Sequence, residues 1–180
     1  MGTNIYVEGR PIPIVVNLRF KIEAVTFAEL RNVLADLAFI DRMQQRFWPT
    51  IWPSFRERRN VHSRVLRFTK QSPPETSILC DPAWLAVLIA LLAGYKNIKS
   101  NVKELHGDIQ RIISDITGLT ARQRQLLEIA VRMSADRLLE MGESGAAAFM
   151  QACRRVRQHI VGETGELPDI EVVNIDRSIY

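Results

Sequence analysis

Residues 81–96 read Asp81-Pro82-Ala83-Trp84-Leu85-Ala86-Val87-Leu88-Ile89-Ala90-Leu91-Leu92-Ala93-Gly94-Tyr95-Lys96, and the place found for this stretch decides the fold. Asp81 accepts hydrogen bonds from a first helical turn, and proline at the next position gives up no bond it would need there, so a helix starts at this pair. No charged side chain follows until Lys96, and residues 83–93 are unbroken apolar. A helix without a polar face is buried on all sides or lies in a membrane. Its uncharged part, residues 82–95, makes about 21 Å of helix, short of the about 30 Å that a hydrocarbon core requires. The sequence therefore predicts a fully buried central helix. Other uses of the same surface are an interfacial or re-entrant segment with Trp84 and Tyr95 as anchors, or a face that holds a partner.

Such a helix needs neighbours, and both flanks supply them. Upstream, Ile14, Val16, Leu18, Phe20 and Ile22 alternate with Val15, Asn17, Arg19 and Lys21, the pattern of a strand with one face on a core. Residues 4–7 can pair across a turn at Glu8-Gly9-Arg10-Pro11, with Pro11 and Pro13 confining that part to an edge. Thr26 and Glu29 form a capping box, so a helix starts there. Its apolar stripe is Phe27, Leu30, Val33, Leu34, Leu37 and Phe39 or Ile40, and it should end near Arg46, ahead of Pro49 and Pro53. Residues 47–60 read as a surface loop, residues 61–69 as a short strand, and Gln71-Ser72-Pro73-Pro74 as its terminator.

Downstream, Val102, Leu105, Ile109, Ile112, Ile113 and Ile116 carry an amphipathic stripe on to Gly118. A second capping box, Thr120 with Gln123, opens a helix expected to stop at Gly142, and Ser144 opens another that ends at Gly162. After Pro168, residues 170–175 read as a last strand or an ordered tail. The expected fold is thus α+β: a small sheet with one covering helix, followed by a three-helix bundle. Residues 1–80 would form the sheet and helix, 81–162 the bundle and 163–180 an acidic tail or edge strand, all in one compact domain.

With 180 residues, 47% of them hydrophobic, the chain can bury one sizeable core, and no repeat or low-complexity stretch interrupts it. Two distant cysteines and a polar start point to a reduced, cytoplasmic setting, peripheral to a membrane if the apolar helix touches one. The net charge of +4 is unevenly spread. Between positions 42 and 70 eight basic residues face Glu57 alone, whereas residues 162–180 carry five acidic side chains against Arg177. The tail is therefore placed to fold back on the basic segment or to repel anionic partners.

Chemistry-bearing motifs are missing from the sequence. His62, His106 and His159 stand at no ligand spacing from Cys80, Cys153 or a carboxylate pair, so neither a metal nor another cofactor is expected. There is no glycine-rich phosphate loop, G-x-S-x-G elbow or H-E-x-x-H, which favours a non-enzymatic role. Arg56, Arg58, Arg59, Arg64 and Arg67 with Trp48 and Trp52 combine cations for phosphates with aromatic faces for stacking, the ingredients of a site for single-stranded nucleic acid or an anionic membrane.

The succession of Val65-Leu66-Arg67-Phe68, the link Ser72-Pro73-Pro74-Glu75 and an apolar helix resembles small α+β modules of bacterial conflict systems. These modules are similar to the amino-terminal domain of the TRADD adaptor and to effector-associated components, and the likeness covers roughly residues 12–116. It implies action by homotypic association or membrane contact, with no catalytic residue to carry over. Together the residues and the resemblance lead to an adaptor or effector of a defence system that self-associates, with Trp84, Leu85, Leu88 and Leu92 as contacts and a second copy or another protein as partner. The alternative expectation is nucleic-acid or anionic-membrane binding through the arginine-rich segment 42–70.

Overall fold

The computed structural model describes residues 6–7, 10–11, 14–21, 26–51, 63–69, 74–97, 102–139, 145–162 and 165–174. The alternating segment forms a strand, β3 (Ile14–Arg19), preceded by the two-residue strands β1 (Tyr6–Val7) and β2 (Arg10–Pro11), which pair with each other. Ile14, Val16, Leu18 and the following Phe20 are buried; Ile22 lies outside the described residues. The alternation also fixes what β3 can pair with, since a neighbour must put its apolar residues on the same face.

Two strands meet that condition. On one side β5 (Glu75–Cys80) runs antiparallel to β3, with Ile14 opposite Cys80 and Arg19 opposite Glu75; on the other β6 (Asp169–Asn174) does the same, from Asn174 to Asp169. β4 (Arg64–Thr69) adds to β5, giving an antiparallel sheet in the order β4-β5-β3-β6. β5 falls where the sequence reading had only the end of a linker. Its inward residues are Thr76, Ile78 and Cys80, and the Thr76 hydroxyl is accommodated in the core by donating to the Arg67 carbonyl at 3.2 Å. β6 is held by the ladder and by buried Ile170 and Val172, so the described part of the acidic tail, residues 169–174, docks beside β3.

The helices are α1 (Phe27–Ile51), α2 (Pro82–Asn97), α3 (Val102–Asp115), α4 (Ala121–Leu139) and α5 (Gly145–Ile160). Both capping boxes form: Thr26 N–H donates to Glu29 at 2.7 Å and Glu29 N–H to the Thr26 hydroxyl at 3.2 Å, with the same exchange at Thr120 and Gln123 at 2.9 and 3.2 Å. α1 outruns its expected end at Arg46 and continues through Pro49 as far as Ile51. A proline near the end of a helix costs one hydrogen bond, which this helix accommodates. The expected stripe of α1 is also narrower, because Phe27 and Leu34 face solvent.

Residues 83–93 of α2 are all buried, and α1, α3, α4 and α5 pack around the helix. The three helices expected between Asp81 and Gly162 are four, because the stretch up to Gly118 holds both α2 and α3. A single straight helix of that span would be about 55 Å long and would carry apolar surface out of the core. With α3 a separate helix, its one-sided stripe of Leu105, Ile109, Ile112 and Ile113 packs on α2. One hydrophobic core then contains residues of the sheet and of all five helices. Among the described residues no helix is long and apolar enough to cross a membrane.

Candidate interaction edge

Every antiparallel sheet that does not close has two edges, each a row of backbone donors and acceptors open to another strand. Here the two edges differ. Along β6, Thr117 N–H donates to the Ile170 carbonyl at 3.1 Å and Val172 N–H donates to the Thr117 carbonyl at 2.9 Å, so the α3–α4 connection straps that edge. Gly118 makes the approach feasible: its φ is +85°, and a Cβ there would lie 2.0 Å from the Val172 carbonyl oxygen. On the opposite side, β4 pairs with β5 alone among the described residues.

β4 is irregular. Arg64 faces Leu79 and Val65 faces Ile78, but Arg67 faces Ser77, so Leu66 is an extra residue in a bulge. Val65 and Phe68 consequently both belong to the core side of the sheet, opposite inward Ile78 and Thr76, and Arg64, Arg67 and Thr69 belong to the outer side. Val65 is 48% and Leu66 55% exposed, and Phe68 is half-buried. Arg64 and Arg67 are exposed and make no ion pair among the described residues.

The outer face beside β4 carries three rungs: Thr69-Glu75-Arg19-Asp169, then Arg67-Ser77-Asn17-Glu171, then Arg64-Leu79-Val15-Val173. Two ion pairs lie on it, Arg19 with Glu75 at 2.5 Å and Lys21 with Asp169 at 2.6 Å, and the Asn17 amide donates to the Glu171 carboxylate at 2.9 Å. The hollow over the first two rungs, about 450 Å³, is thus lined by both signs of charge and no aromatic ring. It offers neither a stacking platform nor a concentrated cation site.

The residues expected from sequence to make contacts fall in different places. Trp84, Leu85, Leu88 and Leu92 are between 0% and 2% exposed, inside the chain's own core, and the Trp84 ring N–H donates to the Leu37 carbonyl at 3.4 Å. They present no surface to a second molecule in this fold. Arg56, Arg58, Arg59 and Trp52 lie outside the described residues, as does the side chain of Trp48, whose backbone is in α1. Arg64 and Arg67 alone of the arginine set are seen with their side chains, and both stand on β4.

Elsewhere, a buried polar cluster joins α1 to α5. The Asp36 carboxylate, fully buried, accepts from Arg155 Nε at 3.0 Å and pairs with His159 Nδ1 at 2.5 Å, and Arg155 lies over the Phe39 ring, 5.2 Å from its centre. The thiols are inert by environment: burial pushes Cys80 well above the usual thiol range and Cys153 up to about 12. Among the described residues no group of three or more His, Cys, Asp or Glu side chains is placed to hold a metal ion.

Compared with protein-family models, curated proteins and solved structures, the chain finds no match. Of the residues at the open edge, Val65, Leu66 and Phe68 were read from sequence as an ordinary strand. A bulge leaves no signature in a six-residue run, and the strap at Thr117 joins segments more than fifty positions apart, so neither was legible there.

Proposed function

We propose that this chain is a non-enzymatic interaction module that self-associates by adding strands at β4. The observation that carries the reading is the asymmetry of the sheet: β6 is strapped by Thr117, whereas β4 pairs with β5 alone among the described residues, with Val65 and Leu66 exposed along it. Backbone groups on an open strand supply affinity for another strand, and the side chains beside them supply selection. The role this gives is an adaptor or effector component that works by association, in keeping with the bacterial defence modules that its sequence resembles. The contact surface is then β4 in place of the buried α2. Light scattering after size-exclusion chromatography tests it: the wild type should run as an oligomer and Val65→Glu as a folded monomer with unchanged circular dichroism. A wild type that is monomeric at micromolar concentration removes the proposal.

One observation favours a second reading, Arg64 and Arg67 at the end of the basic segment, exposed and without an ion pair among the described residues. Binding of single-stranded nucleic acid or anionic lipid through them would weaken steeply with added salt. It ranks second because Glu75, Asp169 and Glu171 share the same face of the sheet.

A further inference from the structure

We infer that β4 pairs antiparallel with the β4 of a second copy about a two-fold axis between Leu66 and Arg67, joining two four-stranded sheets into one and ending association at two copies. The inference rests on the self-association proposed above and specifies its geometry.

Register decides the first half. In antiparallel pairing, residues that face each other must point to the same side of the sheet. A strand with uninterrupted alternation meets its own copy only in registers whose paired numbers have an even sum. The bulge at Leu66 breaks that parity: Val65 and Phe68 are both inward, Arg64 and Thr69 both outward. With the axis between Leu66 and Arg67, Val65 lies opposite the partner's Phe68 and Arg64 opposite the partner's Thr69. The extra residue of one strand is matched by that of the other, so the ladder continues with no residue left over.

Charge selects the same register. Displacing the axis onto Arg67 sets it against the partner's Arg67 and turns Val65 against the outward side chain of the partner's Thr69. A displacement the other way, onto a point between Val65 and Leu66, sets Arg64 against the partner's Arg67. Like charges directly opposite each other oppose pairing. In the register inferred here Arg67 faces the partner's Leu66, and the half-buried Phe68 and the exposed Val65 each gain an apolar neighbour.

The strapped edge decides the second half. A sheet with two open edges adds copies without limit, whereas a self-complementary contact about a two-fold axis uses the same patch on both partners and closes. With Thr117 bonded to Ile170 and Val172, the far edges of the joined sheet are both β6 and both covered.

Cysteine cross-linking reads the register. Residues 65 and 68 of one strand are about 10 Å apart and residue 65 is at least that far from the partner's Val65, beyond the roughly 7 Å that a disulfide spans. Oxidised V65C/F68C should therefore run as a covalent dimer on a non-reducing gel, and neither single variant should; the native Cys80 and Cys153 are buried and take no part. As an independent reading that removes no apolar contact at 65 or 68, Leu66→Glu should leave the dimer intact or tighten it, by facing the partner's Arg67, whereas Val65→Glu dissolves it. A dimer that Val65→Glu breaks, but that shows no 65–68 link and is loosened by Leu66→Glu, overturns the register and leaves the β4 reading standing. Species larger than a dimer overturn the closure, and a monomeric wild type overturns both this inference and the function on which it rests.

Discussion

Asp36 shows how much a single buried charge can hold together. Its carboxylate is out of contact with water and is satisfied from α5 by Arg155 and His159, whose side chains are 47% and 25% exposed. Removing the buried partner of such a cluster costs about 3–5 kcal/mol where the remaining charges stay buried. Here the Arg155 and His159 side chains can turn to solvent, so Asp36→Ala should cost less than that, about 2 kcal/mol for the lost hydrogen bonds, read as a shift in the urea unfolding midpoint. Cys153 gives a pH-dependent counterpart. Its thiol is raised by burial, so the folded state favours the protonated form. The stability this lends is full below the unfolded thiol pKa of about 8.5 and is lost as pH rises from there towards 12. Cys153→Ala should flatten that alkaline limb, measured as a smaller drop in unfolding midpoint between neutral pH and about pH 10 than the wild type shows. Neither role was visible in the sequence. Asp36 precedes His159 by 123 positions, and nothing local to a helical aspartate announces a partner on another helix.

At the scale of elements, legibility followed the locality of the cause. The starts of α1 and α4 were read correctly because a capping box is complete within four residues. β3 was read from the alternation over residues 14–22, and α2 from the absence of charge between Asp81 and Lys96. β5 was missed because its inward side mixes Thr76 with Ile78 and Cys80, a pattern that resembles a strand only once β3 and β4 lie on either side. Gly118 was read as a helix terminator, which accounts for its backbone but not for its contact with Val172. Gly118→Ala therefore carries two penalties, a left-handed backbone and a Cβ against a carbonyl. It should lower stability by at least about 2 kcal/mol and speed hydrogen exchange at the Val172 amide, whose acceptor is Thr117. With the strap loosened, association beyond the dimer should follow.

Across the whole molecule, the sequence favoured burial for a charge-free helix too short for a membrane, while leaving it open as an interfacial segment or a partner-binding face. The structure buries α2, with helices packed around it and the sheet in the same core. The cost of that success fell on the candidate site: the residues most apolar in sequence were the ones with least to offer a partner. The surface proposed for association lies at the periphery, where a bulge and, among the described residues, an unpaired edge are defined by the arrangement of strands and not by composition.

The strand order β4-β5-β3-β6 also has a meaning in time. β3 is made early, gains β5 on one flank sixty-odd residues later, and waits for its other neighbour until residues 169–174 exist. At about 5–20 residues per second, the 94 positions between Cys80 and Asn174 take on the order of 5–20 s to synthesise. Throughout that interval the β6 side of β3 lacks the strand it pairs with in the finished sheet, and Thr117, once made, has no β6 to strap. The growing chain thus passes through a stage at which the described sheet is open at both ends, until β6 and the Thr117 strap cover one of them.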